Sequence, residues 1–420
     1  MDNCIILRKI RLFFIFLFLI WISLYGQTFQ LKYDVITLNL IFIIFVLSLL
    51  IELPQNFLVM DVILLFYIFI IALGVNFYEN KTSVLRHYSL NIFPSYLLYF
   101  SFRKIEKEEI LTIAFSVSFL SFLITLLGCY EIIFKKNIIY EFWVNNPYYY
   151  RFLYRTPRMM STLIHPTILG SFLAGTVFFV YFIFSIIKKI YKPFIIFIII
   201  FLLTAILFSF SRGVIISFLI STFFYLYLQR KTYYIRFIII GILILFIFLS
   251  IFLKNHPSFY RFSIDYPLLS YCKEIKLENL NILMKILKGH PFFGIGIGNY
   301  HMKFKDYITD KQKNIEVLIK QKGYDHAEWH TADNMYISII AETGILGSLL
   351  FFIFLFLLYR RAFSTLKIKE NLYHKNIITV CVSGITALLI SMNTYDLFYW
   401  INPLLLFWFL VGLTRSLLIE

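Results

Sequence analysis

Charged residues are scarce in this 420-residue chain, where they make up 15% of the sequence. Together with 60% hydrophobic residues and a mean hydropathy of +0.81, this scarcity excludes an ordinary soluble domain. Cysteine is also scarce, and the spacing of the four cysteines is not that of a metal site. We find no internal repeat and no low-complexity linker. The composition therefore predicts a helical protein that crosses a membrane many times.

Long apolar runs divide the chain into about twelve predicted spans, because about 20 apolar residues are needed to cross a bilayer as a helix. The first run follows Arg8, Lys9 and Arg11, and no small-residue cleavage site comes after it, so we interpret it as an uncleaved span. We expect an all-α polytopic fold with one large, partly helical loop before the tenth span. The predicted spans cover residues 12–25, 36–52, 57–75, 88–102, 110–134, 162–187, 194–210, 214–229, 236–253, 335–358, 377–393 and 396–414.

Basic residues determine the predicted orientation, because short loops rich in lysine and arginine stay in the cytoplasm. If the N-terminus is cytoplasmic, nearly every short basic loop falls on that side, including 103–107, 188–192 and 360–375. Both termini are then cytoplasmic. The formal net charge of +16 follows from these loops and from one basic outer loop, so it does not indicate nucleic-acid binding.

The predicted organisation has three parts. Residues 1–253 form spans one to nine with short loops, residues 254–334 form a cap outside the membrane, and residues 335–420 form the last three spans. Apolar residues between 273 and 289 share one broad face at helical spacing, which predicts a helix within the cap.

Positive charges on the predicted outer side have no topological cause and therefore suggest a function. Arg212 lies at an outer turn between two apolar runs, and Arg158 precedes the sixth span on the same side. An arginine at the rim of a membrane is costly, and its planar fork suits the paired oxygens of a phosphate. Two such arginines could clamp a diphosphate. The alternative for each is an anchor at the level of the lipid headgroups.

Two further segments could carry chemistry. The glycine-rich segment 290–299 lacks the flanking strand and helix of a dinucleotide-binding loop, so we interpret it as a turn that lets two backbone segments approach closely. The segment 326–334 concentrates histidine, glutamate, aspartate and asparagine at a membrane entrance, which suggests acid–base work. Its two histidines lack the order His-Glu-x-x-His and a third ligand, so we predict no metal site. Asp333 and Asn334 are also expected to cap the tenth helix.

Four motifs follow one another along the chain: Arg-Met-x-Ser-Thr-x-x-His-Pro at 158–166, Ser-Arg-Gly at 211–213, His-Pro-x-x-Gly-x-Gly-x-Gly-Asn at 290–299 and Asp-Asn-x-Tyr-x-x-x-x-Ala-Glu-Thr-Gly-x-x-Gly at 333–347. Together with a dozen spans and one large outer loop, this order resembles the O-antigen ligase / O-antigen polymerase superfamily of bacterial membrane glycosyltransferases. The resemblance covers roughly residues 150–350.

The resemblance implies an enzyme of the bacterial inner membrane with a periplasmic active site, which needs no cofactor and no metal. It would transfer a glycan from undecaprenyl diphosphate to an acceptor sugar hydroxyl during lipopolysaccharide biosynthesis. In a ligase the acceptor is lipid A–core, and in an O-antigen, capsule or exopolysaccharide polymerase it is another carrier-linked repeat. The sequence leaves both open, together with the sugar, the linkage and the oligomeric state.

The resemblance also assigns roles to cationic residues. Arg212 is expected to contact the donor diphosphate, and Arg158 is expected to support it. Where the family often has an arginine at the start of the loop helix, this chain has Lys276. Lys276 keeps the charge but loses the bidentate fork, so either it suffices or Arg261 replaces it.

The expected proton acceptor departs from the ligase pattern. Ligases typically carry histidine immediately before the asparagine, whereas this chain has Asp333 before Asn334. His330 stands one helical turn away. Asp333 or His330 would therefore take the proton of the acceptor hydroxyl, with Asn334 in the same site.

Two other functions fit this sequence less well than glycan transfer. A polysaccharide transporter would place ionisable residues deep within several spans and would show internal repeats, whereas Asp61 and few others lie inside the spans. A purely structural membrane protein would leave the cluster at 330–334 without a role. We therefore favour the transferase.

Overall fold

The computed structural model describes residues 2–24, 30–51, 58–74, 92–102, 105–136, 158–163, 165–230, 268–307, 332–368 and 372–419. Regular structure in these ranges is helical. The helices are α1 (Asp2–Leu24), α2 (Gln30–Ile51), α3 (Val59–Gly74), α4 (Phe93–Ser101), α5 (Lys107–Phe134), α6 (Pro166–Ile186), α7 (Lys192–Phe208), α8 (Arg212–Leu228), α9 (Leu268–Gly289), α10 (Tyr300–Tyr307), α11 (Met335–Ile368), α12 (Leu372–Ser391) and α13 (Ile401–Ile419).

Six helical segments within the described ranges are long and apolar enough to cross a membrane. They are α5, α6, α7 with its preceding turn, α11, α12 and α13, while α2, α3 and α8 contain shorter apolar helices. This result supports a polytopic helical membrane protein. The number of twelve spans stays a prediction, and the predicted ninth span (236–253) lies outside the described residues.

Helix α6 forms the centre of the bundle and packs closely on α12. His165 caps its start, since the ring Nδ1 accepts a hydrogen bond from the backbone N–H of Thr167 at 3.2 Å, and Pro166 follows in the first turn. Midway along, a Cβ atom at Gly384 of α12 would lie 2.5 Å from the carbonyl oxygen of Gly175. Small residues at this crossing therefore allow the two backbones to touch.

One end of the bundle contains the start of α1, the starts of α5 and α12 and the end of α13; we call it the terminal end. Buried charges at this end are paired. Both guanidinium contacts of Arg415 with Asp61 measure 2.7 Å, and Arg11 contacts Glu109 at 2.5 Å. The Tyr99 hydroxyl also donates to Asp61 at 2.5 Å. Pairing with additional hydrogen bonds is what makes charges tolerable within an apolar bundle.

The segment before α11 (residues 268–307) folds against the opposite end of the bundle. Its helix α9 ends at Gly289, as predicted, and begins at Leu268, five residues earlier than the predicted start. A second, smaller core joins this segment to α11 and contains Ile282, Ile286 and Tyr300 from the segment and Ile337 from α11. The predicted helical content of this segment is therefore confirmed, and its position outside the membrane stays a prediction.

Candidate active site

Arg158 is held at the opposite end of the bundle by the small polar residues that follow it. The Glu131 carboxylate accepts hydrogen bonds from the backbone N–H groups of Met160 at 3.1 Å and Ser161 at 2.6 Å. The Ser161 hydroxyl donates to a carbonyl of α5 at 2.6 Å, and the Thr162 hydroxyl donates to a carbonyl of α1 at 2.5 Å. The first motif thus attaches Arg158 to two helices.

Arg158 and Arg212 adjoin the same turn, at residues 209–211. Arg158 is 4% exposed, and its Nε donates to the carbonyl oxygen of Ser209 at 2.7 Å. Arg212 is the first residue of α8 and is partly exposed. A Cβ atom at Gly213 would overlap the side chain of Thr394, so the glycine lets this turn approach the loop between α12 and α13.

The same loop carries a buried acid, Asp396, which is 3% exposed. Its Oδ1 accepts a hydrogen bond from the Ser338 hydroxyl at 2.8 Å, and its Oδ2 has no hydrogen-bond partner among the described residues. Burial, followed by the nearby negative charge of Asp333, raises the pKa of Asp396 to about 7. The Ser338 hydroxyl and the backbone N–H of Asp333 act against this rise. Asp396 is therefore a carboxyl group that can exchange a proton near neutral pH.

Asn334 and Asp333 differ in their roles at the start of α11. Asn334 caps the helix, because its Oδ1 accepts hydrogen bonds from the backbone N–H of Tyr336 at 3.0 Å and of Ile337 at 3.4 Å. Asp333 has a positive φ of 46°. The capping prediction is thus confirmed for Asn334, while Asp333 belongs to the electrostatic environment of Asp396.

The glycine-rich segment fills a kink in α11. At Gly344 (φ +66°) the helix opens, and the carbonyl oxygens of the two residues Ala341 and Glu342 accept from the N–H groups of Ile295 and Gly296, both at 2.9 Å. In return, the next two N–H groups of α11 donate to carbonyl oxygens of residues 291 and 292, at 2.9 and 3.3 Å. Four backbone hydrogen bonds therefore join the segment to the helix. A Cβ atom at Gly344 would overlap the carbonyl of Phe292. The predicted close approach is confirmed.

The Glu342 side chain adds a second connection at this kink. Its Oε1 accepts hydrogen bonds from the Tyr399 hydroxyl at 2.5 Å and from the backbone N–H of Tyr300 at 3.1 Å. One carboxylate therefore joins α11, the segment before it and the turn before α13. Glu342 also lines a cavity of about 40 Å³ together with aliphatic and aromatic side chains, among them Ile339, Phe351 and Trp408.

Three partly exposed aromatic rings form a cluster near Arg158 and the acids. The His165 ring stacks on Tyr395 with centroids 4.8 Å apart, and Trp400 lies 5.9 Å from His165 and 6.1 Å from Tyr395. Burial and the charges of Asp333 and Asp396 raise the pKa of the Tyr395 hydroxyl, while Arg158 acts in the opposite direction. Arg158 and both acids therefore share one electrostatic environment.

The structure brings together some of the predicted residues. Arg158, Arg212, Asp333 and Asn334 all lie at the end opposite the chain termini. Lys276 is exposed on α9 and makes no hydrogen bond or ion pair with the residues that the structure describes. Arg261 and His330 lie outside the described residues.

Sequence reasoning missed Asp396, Tyr395 and Glu131. A signal for the first two was present, since Asn-Thr-Tyr-Asp at 393–396 interrupts the apolar sequence where the last two predicted spans meet, on the same predicted side as Arg212. Glu131 is an acid near the end of an apolar run, and nothing local indicates that it accepts backbone hydrogen bonds from a segment 30 residues away.

Comparison with known families gives the site a context. The family described as O-antigen ligase matches residues 197–352, a range that includes Arg212, the glycine-rich segment and the kinked start of α11. A search of curated proteins found no match. The family match confirms the resemblance to the O-antigen ligase / O-antigen polymerase superfamily over residues 197–352, a range that contains three of the four motifs. Arg158 and Asp396 lie outside the matched range.

Proposed function

We propose that this protein is a membrane glycosyltransferase of the O-antigen ligase type, which moves a glycan from undecaprenyl diphosphate to a sugar hydroxyl of lipid A–core. The observation that carries the proposal is the position of Asp396, a buried carboxyl with a pKa of about 7, at the same end of the bundle as Arg158 and Arg212. The match of residues 197–352 to the O-antigen ligase family supports a lipid-linked glycan as the substrate.

Arg158 and Arg212 are suited to stabilise the diphosphate that leaves the donor. When the bond between the anomeric carbon and the diphosphate breaks, the electron pair and negative charge go to the diphosphate. Arg212 is partly exposed at the first turn of α8, where the helix dipole adds positive potential. Positioned cations at the developing charge are a large part of catalysis in water-poor sites.

The acids suit the acceptor half. The acceptor hydroxyl oxygen attacks the anomeric carbon, and its proton passes to a carboxylate. Asp396 fits this role because Oδ2 is without a partner among the described residues and because a pKa near the working pH is best for a general base. Asp333 remains a candidate base and raises the basicity of Asp396 by its charge, and Asn334 fixes the start of α11 beside them. His330 stays a candidate from the sequence.

We further propose that the arginine–carboxyl cluster faces the periplasm. Exposed basic residues near the terminal end include Lys188, Lys189, Arg360 and Arg361. Since basic loops remain in the cytoplasm, the terminal end would be cytoplasmic and the arginine–carboxyl cluster periplasmic. This arrangement matches a lipid-linked donor presented on the outer leaflet of the inner membrane.

One observation favours a second candidate, a polymerase that joins carrier-linked repeats. Asp333 stands where ligases typically have histidine, and both enzymes would use the same donor chemistry. A surface-glycan gel of a deletion strain distinguishes them. Core capped with a single repeat indicates a polymerase, whereas bare core with long glycan accumulating on the carrier indicates a ligase.

The transfer reaction itself is tested with purified protein, carrier-linked glycan and acceptor, by measuring new glycosidic linkages. We expect Arg212→Ala to lower the rate by about 10²- to 10³-fold, the range for removal of one preorganised donor to a developing charge. Arg230→Ala is the matched control, because Arg230 is exposed immediately after the other end of the same helix. Equal rates in the two variants would overturn the proposed role of Arg212.

A further inference from the structure

Helix α9 presents apolar side chains on two opposite faces. One face is buried against α11 and includes Ile282 and Ile286. At 3.6 residues per turn, Leu277, Leu280 and Met284 fall within an arc of about 60° on the other side of the helix. These three side chains are 52%, 47% and 56% exposed. Packing against α11 accounts for the first face. The described residues do not cover the second face.

Lysines border this exposed apolar arc. Lys276 lies on one side of it and Lys285 on the other, while Lys288 continues it towards the end of the helix, and all three are exposed. An apolar stripe bordered by lysines is the pattern of a helix that lies in the interface of an anionic membrane.

The hydrogen bonds at the kink of α11 define the depth of α9. The turn that ends α9 donates and accepts backbone hydrogen bonds around Ile345, at the first residue of a stripe on α11 exposed at 345, 349, 352 and 356. From Ile345 to Arg360 the helix rises about 22 Å at 1.5 Å per residue. Since the hydrocarbon core is about 30 Å thick and arginine can extend outward to headgroups, Ile345 lies close to the far edge of the hydrocarbon. Phe292, 60% exposed, lies at the same level.

We propose that α9 is an interfacial helix whose exposed face, formed by Leu277, Leu280, Met284 and the bordering lysines, docks on the anionic headgroup layer of the leaflet that surrounds the site. Helix α9 is connected to the site by a hydrogen bond. Asn279 of α9 donates to the carbonyl oxygen of Ala332, the residue before Asp333, at 2.8 Å. Lipid contact with α9 would thereby stabilise the position of Asp333. This surface does not depend on which glycan reaction the site performs.

Lipid quenching of a fluorophore tests the proposal on the full chain in nanodiscs. The four native cysteines are replaced by serine, and a bimane label is placed at Leu280→Cys or, as the matched control, at Asp306→Cys on the exposed side of α10. The quencher is a phospholipid spin-labelled at the headgroup, in phosphatidylcholine with or without phosphatidylglycerol. We expect several-fold stronger quenching at position 280 than at 306, and a further increase with phosphatidylglycerol that Lys285→Glu/Lys288→Glu removes.

Each alternative has a distinct result. Equal quenching at positions 280 and 306 would mean that the face contacts water, which overturns the proposal. Self-quenching between labels that grows with the protein-to-lipid ratio, without lipid quenching, would identify a second copy as the occupant and also overturn it. Quenching at 280 that is unaffected by phosphatidylglycerol would contradict the anionic headgroup as the partner. Because Leu280, Lys285 and Lys288 are all exposed, circular dichroism of the variants is expected to match the cysteine-free parent chain.

Discussion

Buried charged residues have different surroundings at the two ends of the helical bundle. At the terminal end, buried acids meet buried bases, as in Asp61 with Arg415 and Glu109 with Arg11. At the opposite end, Asp396 is buried beside a second acid, Asp333, and its pKa rises to about 7. Paired charges hold helices together, whereas an acid next to an acid costs stability. The comparison therefore identifies the opposite end as the place where a chemical requirement overrides stability.

The largest expected effect comes from breaking the pairing at the terminal end. Arg415→Met leaves the Asp61 carboxylate buried without its bidentate partner, which costs about 3–5 kcal/mol in comparable buried pairs. Thermal unfolding of the purified protein in detergent should show a lower Tm and a lower yield. The double variant Asp61→Leu/Arg415→Met removes both charges and should recover most of the loss. If the single and double variants unfold at the same temperature, the pair does not have the role assigned to it.

The next effect concerns the kink that positions the site. Gly344→Ala introduces a Cβ that overlaps the Phe292 carbonyl at a backbone with positive φ, so we expect a cost of about 1–3 kcal/mol or more and a loss of transfer activity. Gly289→Ala is the matched control, because no atom lies within 4 Å of its added Cβ. Hydrogen exchange over residues 291–299 should increase in the first variant alone. Similar exchange in both variants would show that the kink does not hold the segment.

The acid cluster predicts a pH dependence of stability. The pKa of Asp396 is higher in the folded protein, about 7, than the ordinary value of about 4, so the folded state binds this proton more tightly than the unfolded state. The corresponding stability is fully present below about pH 4 and is lost as the pH rises through 7. Asp396→Asn should flatten this part of the Tm profile, whereas a profile as steep as that of the wild type would contradict the raised pKa.

The smallest expected effect concerns the hydrogen bond from Ser338 to Asp396. Ser338→Ala removes a hydrogen bond that favours the charged form of Asp396, so the pKa of this carboxyl should rise further, by up to about one unit. The acidic limb of the pH–rate profile should move to higher pH, while the rate at alkaline pH is retained. Ser416→Ala, a buried serine of the terminal end that bonds to a carbonyl of its own helix, should leave the profile unchanged. A uniform loss of rate at every pH would indicate a structural role for Ser338.

Local patterns in the sequence predicted the features that depend on local chemistry. The helix ending at Gly289, the Asn334 cap and the tight glycine turn follow from spacing and backbone preference. The position of Arg158 and Arg212 at one end followed from counting spans. By contrast, the residues that face each other across the bundle were not predictable, because their contacts depend on packing between distant segments.

Asp396 illustrates the limit. Its hydroxyl partner lies 58 residues away and the acid that raises its pKa lies 63 residues away, so no short motif contains the cluster. The pair formed by Asp61 and Arg415 spans 354 residues. The family match did not supply these contacts either, since it ends at residue 352.

The most direct test of the central claim measures stability and transfer on the same preparation of Asp396→Asn at pH 8. Removing an acid that is buried beside another acid should raise Tm, while removing the proposed proton acceptor should lower the transfer rate by about 10²- to 10⁴-fold. A variant that is more stable and inactive is the predicted result. A variant that transfers glycan at the wild-type rate, or one that loses activity only because it unfolds, would contradict the claim that this end of the bundle gives up stability for chemistry.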